Sequence, residues 1–207
     1  MARPKGNSAF TETRKDAILD AALEVFGSNG FHGSSLKQVA DLVGITEAGI
    51  LHHFGNKGGL LRAVLNRRDD ISQAFFPEDI DGMDWIVGWV KLIKHNMANP
   101  GIVELYTVLS GESTTDGHPA HAYFVQRYNM VRELQERYFQ LSADAGLLRE
   151  GLIPSHVGET LIALADGCQV QWLLDRNFDM LGRQLGFFEN ILTPAAWQEL
   201  QRRLAAA

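Results

Sequence analysis

Two short segments with helical apolar periodicity, separated by a glycine, constrain the fold of this chain more than any other feature of its sequence. In the first segment the apolar residues have the spacing of one helix face, at Leu36, Val39, Ala40 and Val43. Gly44 follows, and glycine adopts the left-handed backbone of a tight helix ending at little steric cost. A second such segment runs from Thr46 to about Phe54. Two short helices joined in this way predict a helix-turn-helix, whose second helix enters the major groove of DNA.

Residues suited to cap the beginning of a helix precede both segments. Ser35 and Gln38 have the spacing of a capping box, in which each side chain bonds a backbone N–H of the other residue. Thr46 is placed to cap the second helix, and Ile45 and Ile50 have the spacing of a hydrophobic staple. These local signals therefore predict the same two helices as the apolar periodicity.

Helical periodicity also dominates the remainder of the chain. Ahead of the motif, one apolar stripe consists of Ile18, Ala22, Val25 and Phe26. A fourth helix is expected after Asn56, which can cap it. Beyond residue 70, turn signals separate further helices near 85–98, 102–112, 119–144, 154–176, 180–192 and after Pro194. On the long helix after Pro119 some combination of five side chains is expected to face inward: Ala122, Val125, Tyr128, Val131 and Leu134.

The fold class predicted from these patterns is all-α, in two domains. The first is a three-helix helix-turn-helix DNA-binding domain at residues 1–56. The second is a helical domain at residues 57–207.

Charge is distributed unevenly between the two parts of the chain. The formal net charge of the whole sequence is −6, but residues 1–68 carry nine Lys and Arg against six Asp and Glu. Residues 69–207 carry ten basic against nineteen acidic residues. A basic segment on an acidic chain is consistent with one region that meets a polyanion while the rest does not.

Other bulk features predict a cytoplasmic protein that does not enter a membrane. The sequence has one cysteine, Cys168, which excludes an internal disulfide, and it is 45% hydrophobic, which is ordinary for a globular chain. Its apolar runs are shorter than the roughly 20 residues that a membrane span needs. The first ten residues, MARPKGNSAF, lack the apolar core of a secretory signal.

The segment Ser35–Leu61, SLKQVADLVGITEAGILHHFGNKGGLL, resembles the DNA-binding domain of the TetR family of bacterial transcriptional repressors. The match in order, spacing and residue type extends over residues 11–65 and includes the Phe54-x-x-Lys57 ending. The resemblance implies a homodimeric regulator that is released from a palindromic DNA operator by a small-molecule effector. Leu51 departs from the pattern, because the family usually has a tyrosine there, which implies one missing phosphate contact.

The resemblance also implies which residues touch DNA: Ser35, Lys37, Thr46, Glu47, Ala48, Gly49, His52, His53 and Lys57. Among these, Ser35 and Thr46 would be phosphate-contacting caps, with His52 and Lys57 as further phosphate contacts and His53 in a packing role. Glu47, Ala48 and Gly49 would face base edges, where a glutamate can accept a hydrogen bond from cytosine N4. Gly58 and Gly59 replace residues with higher helix propensity, each at a cost of about 1 kcal/mol.

For the C-terminal domain, the resemblance implies an effector pocket and a dimer interface. The expected pocket residues are Trp89, Tyr106, His121, Phe124, Tyr128, Gln169 and Trp172. The expected dimer contacts come from the helices around 155–176 and 180–192. On the first of these helices an apolar stripe consists of Val157, Leu161, Leu164, Cys168 and Trp172, and Gly158 and Gly167 would allow close helix approach.

Catalytic and metal chemistry are poorly supported by the sequence. Adjacent helical residues such as His52 and His53 point about 100° apart, which does not suit chelation of one ion. His118 and His121 have i, i+3 spacing but no cysteine or carboxylate nearby at ligand spacing. Phosphate-loop and nucleophile-elbow motifs are absent, so neither a cofactor nor an enzymatic activity is expected. An enzyme or carrier with a vestigial helix-turn-helix and a non-sensing architectural protein remain as alternatives.

Overall fold

The computed structural model describes residues 6–77 and 79–206, with side chains from residue 12 onward. The described residues form helices and no strand, apart from one isolated bridge between Leu148 and Leu192. The helices are α1 (Gly6–Asn29), α2 (Leu36–Val43), α3 (Glu47–Phe54), α4 (Lys57–Gln73), α5 (Gly82–Ala98), α6 (Pro100–Glu112), α7 (His121–Asp144), α8 (Pro154–Leu174), α9 (Met180–Ile191) and α10 (Pro194–Ala205). The predicted all-α fold is confirmed. Within the described ranges, no helix has the length and apolar character needed to cross a bilayer.

The chain divides into two compact units. The first contains the described residues up to Asp70 together with Glu104–Phe124, and the second contains Ile71–Val103 and the described chain from Val125 onward. The first unit therefore includes the helix-turn-helix and a segment more than thirty residues further along the chain. The functional boundary expected between residues 56 and 57 stays a prediction.

The helix-turn-helix forms where the local signals predict it. Ser35 Oγ accepts a hydrogen bond from Gln38 N at 3.2 Å, and Gln38 Oε1 accepts one from Ser35 N at 2.7 Å, so the capping box is complete. Gly44 ends α2 with φ of 71°, in the left-handed region. Thr46 Oγ1 accepts from Gly49 N at 3.3 Å at the start of α3. Beneath these caps the buried side chains are Ile18, Ala22, Val25, Phe26, Val39, Ala40 and Ile50.

The second unit is held together by two apolar clusters. The larger joins residues of α5, α7, α8, α9 and α10, among them Trp85, Ile86, Phe139, Leu161 and Phe188. The smaller contains Ile93, Val103, Cys168, Trp172 and Met180. Trp89 of α5 packs against both clusters.

Two expected helix faces differ from the structure. On α7, Val125 and Leu134 are 48% and 40% exposed, and Ala122 is also exposed, so these three candidates for the inward face do not lie on it. The buried positions of α7 are instead Phe124, Gln135, Phe139 and Ser142, which lie on a stripe that includes the half-buried Tyr128 and Val131. A helix packed on one side buries a single stripe, and the apolar residues outside that stripe face solvent.

On α8, the stripe expected at the dimer interface is used inside the protomer. Val157 and Leu161 belong to the larger cluster, and Cys168 and Trp172 belong to the smaller one. Gly158 faces α7, because a Cβ added there would lie 2.9 Å from the Gln135 Cβ. The apolar side chains that α8 leaves exposed are Val170 and Leu174, at 44% and 83%.

Candidate nucleic-acid interface

The outward face of α3 carries the side chains available to touch another molecule. Ile50 is completely buried and fixes the inward side of the helix. Glu47, Ala48 and His52 are exposed, and Gly49 is half-buried. Small residues at the beginning of the helix leave its backbone accessible. This face can approach a groove wall closely, with one carboxylate as a hydrogen-bond acceptor.

Leu51 is the exposed residue on α3 that departs from the resemblance. It is 40% exposed and lies one turn after Glu47, on the same side of the helix. A leucine offers an apolar surface and no hydrogen bond. Leu51 therefore cannot supply the phosphate hydrogen bond that a tyrosine hydroxyl provides.

The beginnings of α2 and α3 are suited to bind phosphate. Ser35, Lys37 and Thr46 are all exposed there. The first backbone N–H groups of a helix have no partner within the helix, and the helix dipole favours an anion at that end. Lys37 forms an ion pair with Asp41 at 3.2 Å, with both side chains more than 60% exposed (71% and 65%). An ion pair this exposed contributes little, so a phosphate can replace the carboxylate at small cost.

The adjacent histidines of α3 have different surroundings. His52 is exposed, whereas His53 is half-buried and lies with its ring centroid 6.2 Å from that of Phe54. The two imidazole rings are 5.4 Å apart at an interplanar angle of 66°. Among the described residues, no group of three or more His, Cys, Asp or Glu side chains could hold a metal ion. This arrangement is consistent with one outward-facing and one packing histidine.

Lys57 has a role that the sequence does not predict. Its ammonium donates hydrogen bonds to the carbonyl oxygens of Phe31 and Ser34 and lies 4.3 Å from the centroid of the Phe31 ring. Burial lowers the pKa of Lys57 below its usual value, an effect that the nearby Glu112 carboxylate opposes. Lys57 thus joins the start of α4 to the loop between α1 and α2, and its phosphate contact stays a prediction.

Glu112 and His118 also lie beside that loop, although the sequence predicts no such position for either of them. The Phe31 N–H donates to Glu112 Oε2 at 2.7 Å, across 81 residues of sequence. His118 Nε2 lies 3.5 Å from the same carboxylate oxygen, and the imidazole is 1% exposed. Burial lowers the pKa of His118, which favours its neutral form. Contacts between residues so far apart in sequence leave no periodic or local signal.

The structure divides the residues expected in the effector pocket between the two units. Tyr106, His121 and Phe124 belong to the first unit, whereas Trp89, Tyr128, Gln169 and Trp172 belong to the second. In the first unit, the rings of Tyr106 and Phe124 are 5.3 Å apart, and His121 Nδ1 lies 2.8 Å from the Ser113 carbonyl oxygen.

In the second unit, most of these residues have partners within the protein. Tyr128 donates to Asp166 Oδ2 at 2.7 Å, and Trp89 Nε1 donates to Gln184 Oε1 at 2.9 Å. The Arg176 guanidinium lies 4.0 Å from the ring centroid of Trp172, while Gln169 is half-buried.

Gln135 of α7 is a buried polar residue that the sequence analysis missed. Its side chain is 1% exposed, and within the described structure neither its Nε2 nor its Oε1 has a hydrogen-bond partner. An unsatisfied buried amide costs free energy, so such a group calls for an explanation. It lies against Gly158 of α8, whose missing side chain makes the space that it fills.

The first unit has the caps, the glycine turn and the exposed third helix of a helix-turn-helix DNA-binding domain. Residues 18–64 match the family model described as bacterial regulatory proteins, tetR family. Residues 18–64 therefore form a DNA-binding domain of the TetR type, and the predicted resemblance of this segment is confirmed.

Two transcriptional regulators of Escherichia coli are similar in sequence to part of this chain. The HTH-type transcriptional regulator RutR of Escherichia coli strain K12 is 38% identical over 88 residues, which are 41% of this chain and 42% of RutR. The regulator UidR of the same strain is 36% identical over 83 residues, 40% of this chain and 41% of UidR. The chain thus matches about two fifths of the length of these relatives.

Similar solved structures extend over most of the chain. TylP, a TetR regulator from Streptomyces fradiae, has a TM-score of 0.72 at 17% identity, with 95% of this chain and 96% of TylP covered. A putative transcriptional regulator from Saccharomonospora viridis, in complex with choline, has a TM-score of 0.72 at 22% identity, with 88% and 99% covered. At these identities the likeness shows a shared fold alone.

Proposed function

We propose that this protein is a homodimeric transcriptional repressor that binds a palindromic DNA operator and leaves it when a small molecule binds in its C-terminal part. The observation that carries the proposal is the exposed face of α3, held by intact helix caps within a TetR-family domain. The matching relatives are transcriptional regulators, which supports action by binding and not by catalysis. Action on DNA also supports a cytoplasmic location.

Operator binding is testable without knowing the operator. Selection from a random double-stranded DNA library should yield a two-fold symmetric site, because a symmetric dimer presents two identical recognition helices. The affinity for that site, measured by fluorescence anisotropy, should fall linearly on a log–log plot against salt concentration, since phosphate contacts release counterions. A protein that retains no duplex from the library at low salt would contradict the proposal.

Within the proposed interface, Glu47, Ala48 and Gly49 read base edges, and Ser35, Lys37, Thr46, His52 and Lys57 contact phosphates. His53 supports α3 from its half-buried position. Leu51 adds an apolar surface beside Glu47, of the kind that contacts a thymine methyl group.

Replacement of Glu47 should alter base preference at one operator position in each half-site. The substitution Glu47→Ala removes the carboxylate that we assign to cytosine N4, and discrimination there should fall by about 1–3 kcal/mol. Repeating the library selection with the variant measures this directly. Glu24→Ala is the matched control, because Glu24 is exposed on α1 and carries the same charge. Identical selected sites for Glu47→Ala and the wild type would refute the assignment.

The proposed dimer uses the exposed sides of α8 and α9. Val170 and Leu174 are exposed apolar residues of α8, at 44% and 83%, and their i, i+4 spacing places them on one side of the helix. A Cβ added at Gly167 or Gly186 would meet nothing within 4 Å, which leaves room for a neighbouring helix. These features support pairing through the helices around 155–176 and 180–192.

The substitution Leu174→Glu should convert the dimer into a monomer while the protomer stays folded. Because Leu174 is already 83% exposed in the protomer, the charge costs the monomer little, but it would be buried in the dimer. Sedimentation equilibrium measures the mass in solution, and circular dichroism checks helix content. Val125→Glu on α7, where the side chain is 48% exposed, is the control and should leave the dimer intact. A dimeric Leu174→Glu protein would rule out this interface.

We place the effector in the second unit, where Trp89, Tyr128, Gln169 and Trp172 provide large apolar surface and polar edges. Gln135 adds an amide with both a donor and an acceptor that the protein leaves unused. An effector with a neighbouring donor and acceptor would complement it. Tyr106, His121 and Phe124 of the first unit then serve packing within that unit.

If Gln135 is retained for a ligand, the free protein should become more stable without its amide. The substitution Gln135→Met keeps the side-chain length and removes both unsatisfied atoms, so the free energy of unfolding should rise by about 1–3 kcal/mol. Urea denaturation of the ligand-free protein measures the change. Gln140→Met, at an exposed position of the same helix, should change stability by less than about 0.5 kcal/mol. A less stable Gln135→Met protein would mean that the amide is already satisfied in solution.

A further inference from the structure

Phe31, in the loop between α1 and α2, is held by two charged side chains from outside that loop. Its N–H donates to Glu112 Oε2 at 2.7 Å, and Glu112 is the last residue of α6. Its carbonyl oxygen accepts from the ammonium of Lys57, the first residue of α4. We call Phe31, Lys57 and Glu112 the Phe31 clamp. A backbone segment without regular structure has to satisfy its polar groups in this way when it is removed from water.

The clamp continues directly into the start of α2. Lys57 also donates to the carbonyl oxygen of Ser34, and the buried Ser34 hydroxyl donates to the Val25 carbonyl at 3.0 Å. The next residue, Ser35, is the N-cap of α2. The position of the capping residue is therefore determined by the same lysine that holds Phe31. A displacement of Phe31 would move the start of α2, and with it the brace for α3.

The surroundings of Glu112 are shaped to hold its carboxylate. Gly30 has φ of +67°, and a Cβ added there would collide with the Glu112 carboxylate, so the glycine leaves the space that Glu112 occupies. His118 lies on another side, with Nε2 3.5 Å from Glu112 Oε2. On its other side the His118 ring is held at Nδ1, which lies 3.2 Å from Ala120 N and 3.1 Å from Ser113 Oγ.

We propose that Glu112 is a positioning residue for operator binding, although it lies 48 residues beyond the end of the matched DNA-binding segment at residue 64. Its carboxylate fixes Phe31, which fixes the start of α2 and thereby the presentation of α3. The inference rests on the proposed function, since it concerns how the DNA-binding face is held. Glu112 itself touches no DNA in this mechanism.

Removal of the carboxylate separates positioning from simple electrostatics. Glu112→Ala takes away a negative charge, and the electrostatic effect alone would strengthen binding to a polyanion. Loss of a hydrogen bond to a charged group instead predicts operator binding weaker by roughly 10- to 100-fold. Asp116→Ala is the matched control: it makes the same charge change at an exposed position four residues away in the same unit. It should bind as tightly as the wild type or slightly tighter.

The test uses the full chain and the duplex that the wild type selects from the library. Dissociation constants are measured for the active fraction, which is determined by stoichiometric titration, so that unfolded protein does not imitate weak binding. Glu112→Gln retains an acceptor for the Phe31 N–H, and it should recover most of the lost affinity. The salt slope should stay close to that of the wild type in every variant, because no basic side chain is removed.

Amide hydrogen exchange at Phe31, followed by NMR without DNA, tests the clamp independently of operator binding. Exchange should be at least about 10-fold faster in Glu112→Ala than in the wild type and unchanged in Asp116→Ala.

Two results would overturn the inference: Glu112→Ala protein that binds DNA as tightly as Asp116→Ala, or an exchange rate at Phe31 that Glu112→Ala leaves unchanged. If the wild type binds no duplex, the proposed function fails, while the exchange result still decides whether Glu112 holds the loop. If Glu112→Ala does not fold, Glu112→Gln with intact exchange protection and weakened binding would equally contradict the positioning role.

Discussion

The DNA-binding surface depends on the loop between α1 and α2, whose backbone polar groups have no partners in a regular helix or strand. This loop forms no helix or strand, yet Phe31 and Ser34 lie against other parts of the first unit and their polar atoms need partners. Lys57 supplies two hydrogen bonds and Glu112 supplies one. The Glu112 carboxylate thus binds the N–H of Phe31 and the Lys57 ammonium binds its carbonyl oxygen. Because the two side chains have opposite charges, each reduces the free-energy cost of burying the other. The start of α2 follows from that arrangement.

This use of Lys57 changes how the basic character of the N-terminal segment is understood. The excess of basic residues in residues 1–68 suggests a broad cationic surface, but several of these charges have partners in the protein. Lys57 is directed at carbonyl oxygens, Lys37 is paired with Asp41, and Arg67 forms an ion pair with Asp20 at 2.8 Å. Attraction to phosphate then depends more on helix ends, whose N–H groups are oriented by the caps, than on free cations.

The parts of the fold that the sequence predicts are those encoded by neighbouring residues. The capping box at Ser35, the left-handed Gly44 and the Thr46 cap involve partners within about four positions, and all of them form as expected. The role of Glu112 depends on a partner 81 residues away, and no local pattern records such a pair. The assignment of helix faces failed for a related reason. An apolar residue such as Val125 or Leu134 is compatible with core and surface alike until the neighbouring helices are known.

The position of Glu112 limits how far this DNA-binding domain can be treated as a module. A chimera that joins residues up to 70 to the body of another regulator would keep the face of α3, its caps and Lys57. It would lose the acceptor for the Phe31 N–H, and the lysine would lose its counter-charge. A transplant that preserves function should therefore include a carboxylate in the recipient that reaches Gly30 and Phe31. For this chain the unit of exchange is then an assembly of two separate stretches, up to Asp70 and from Glu104 to Phe124, and not the continuous segment of residues 18–64.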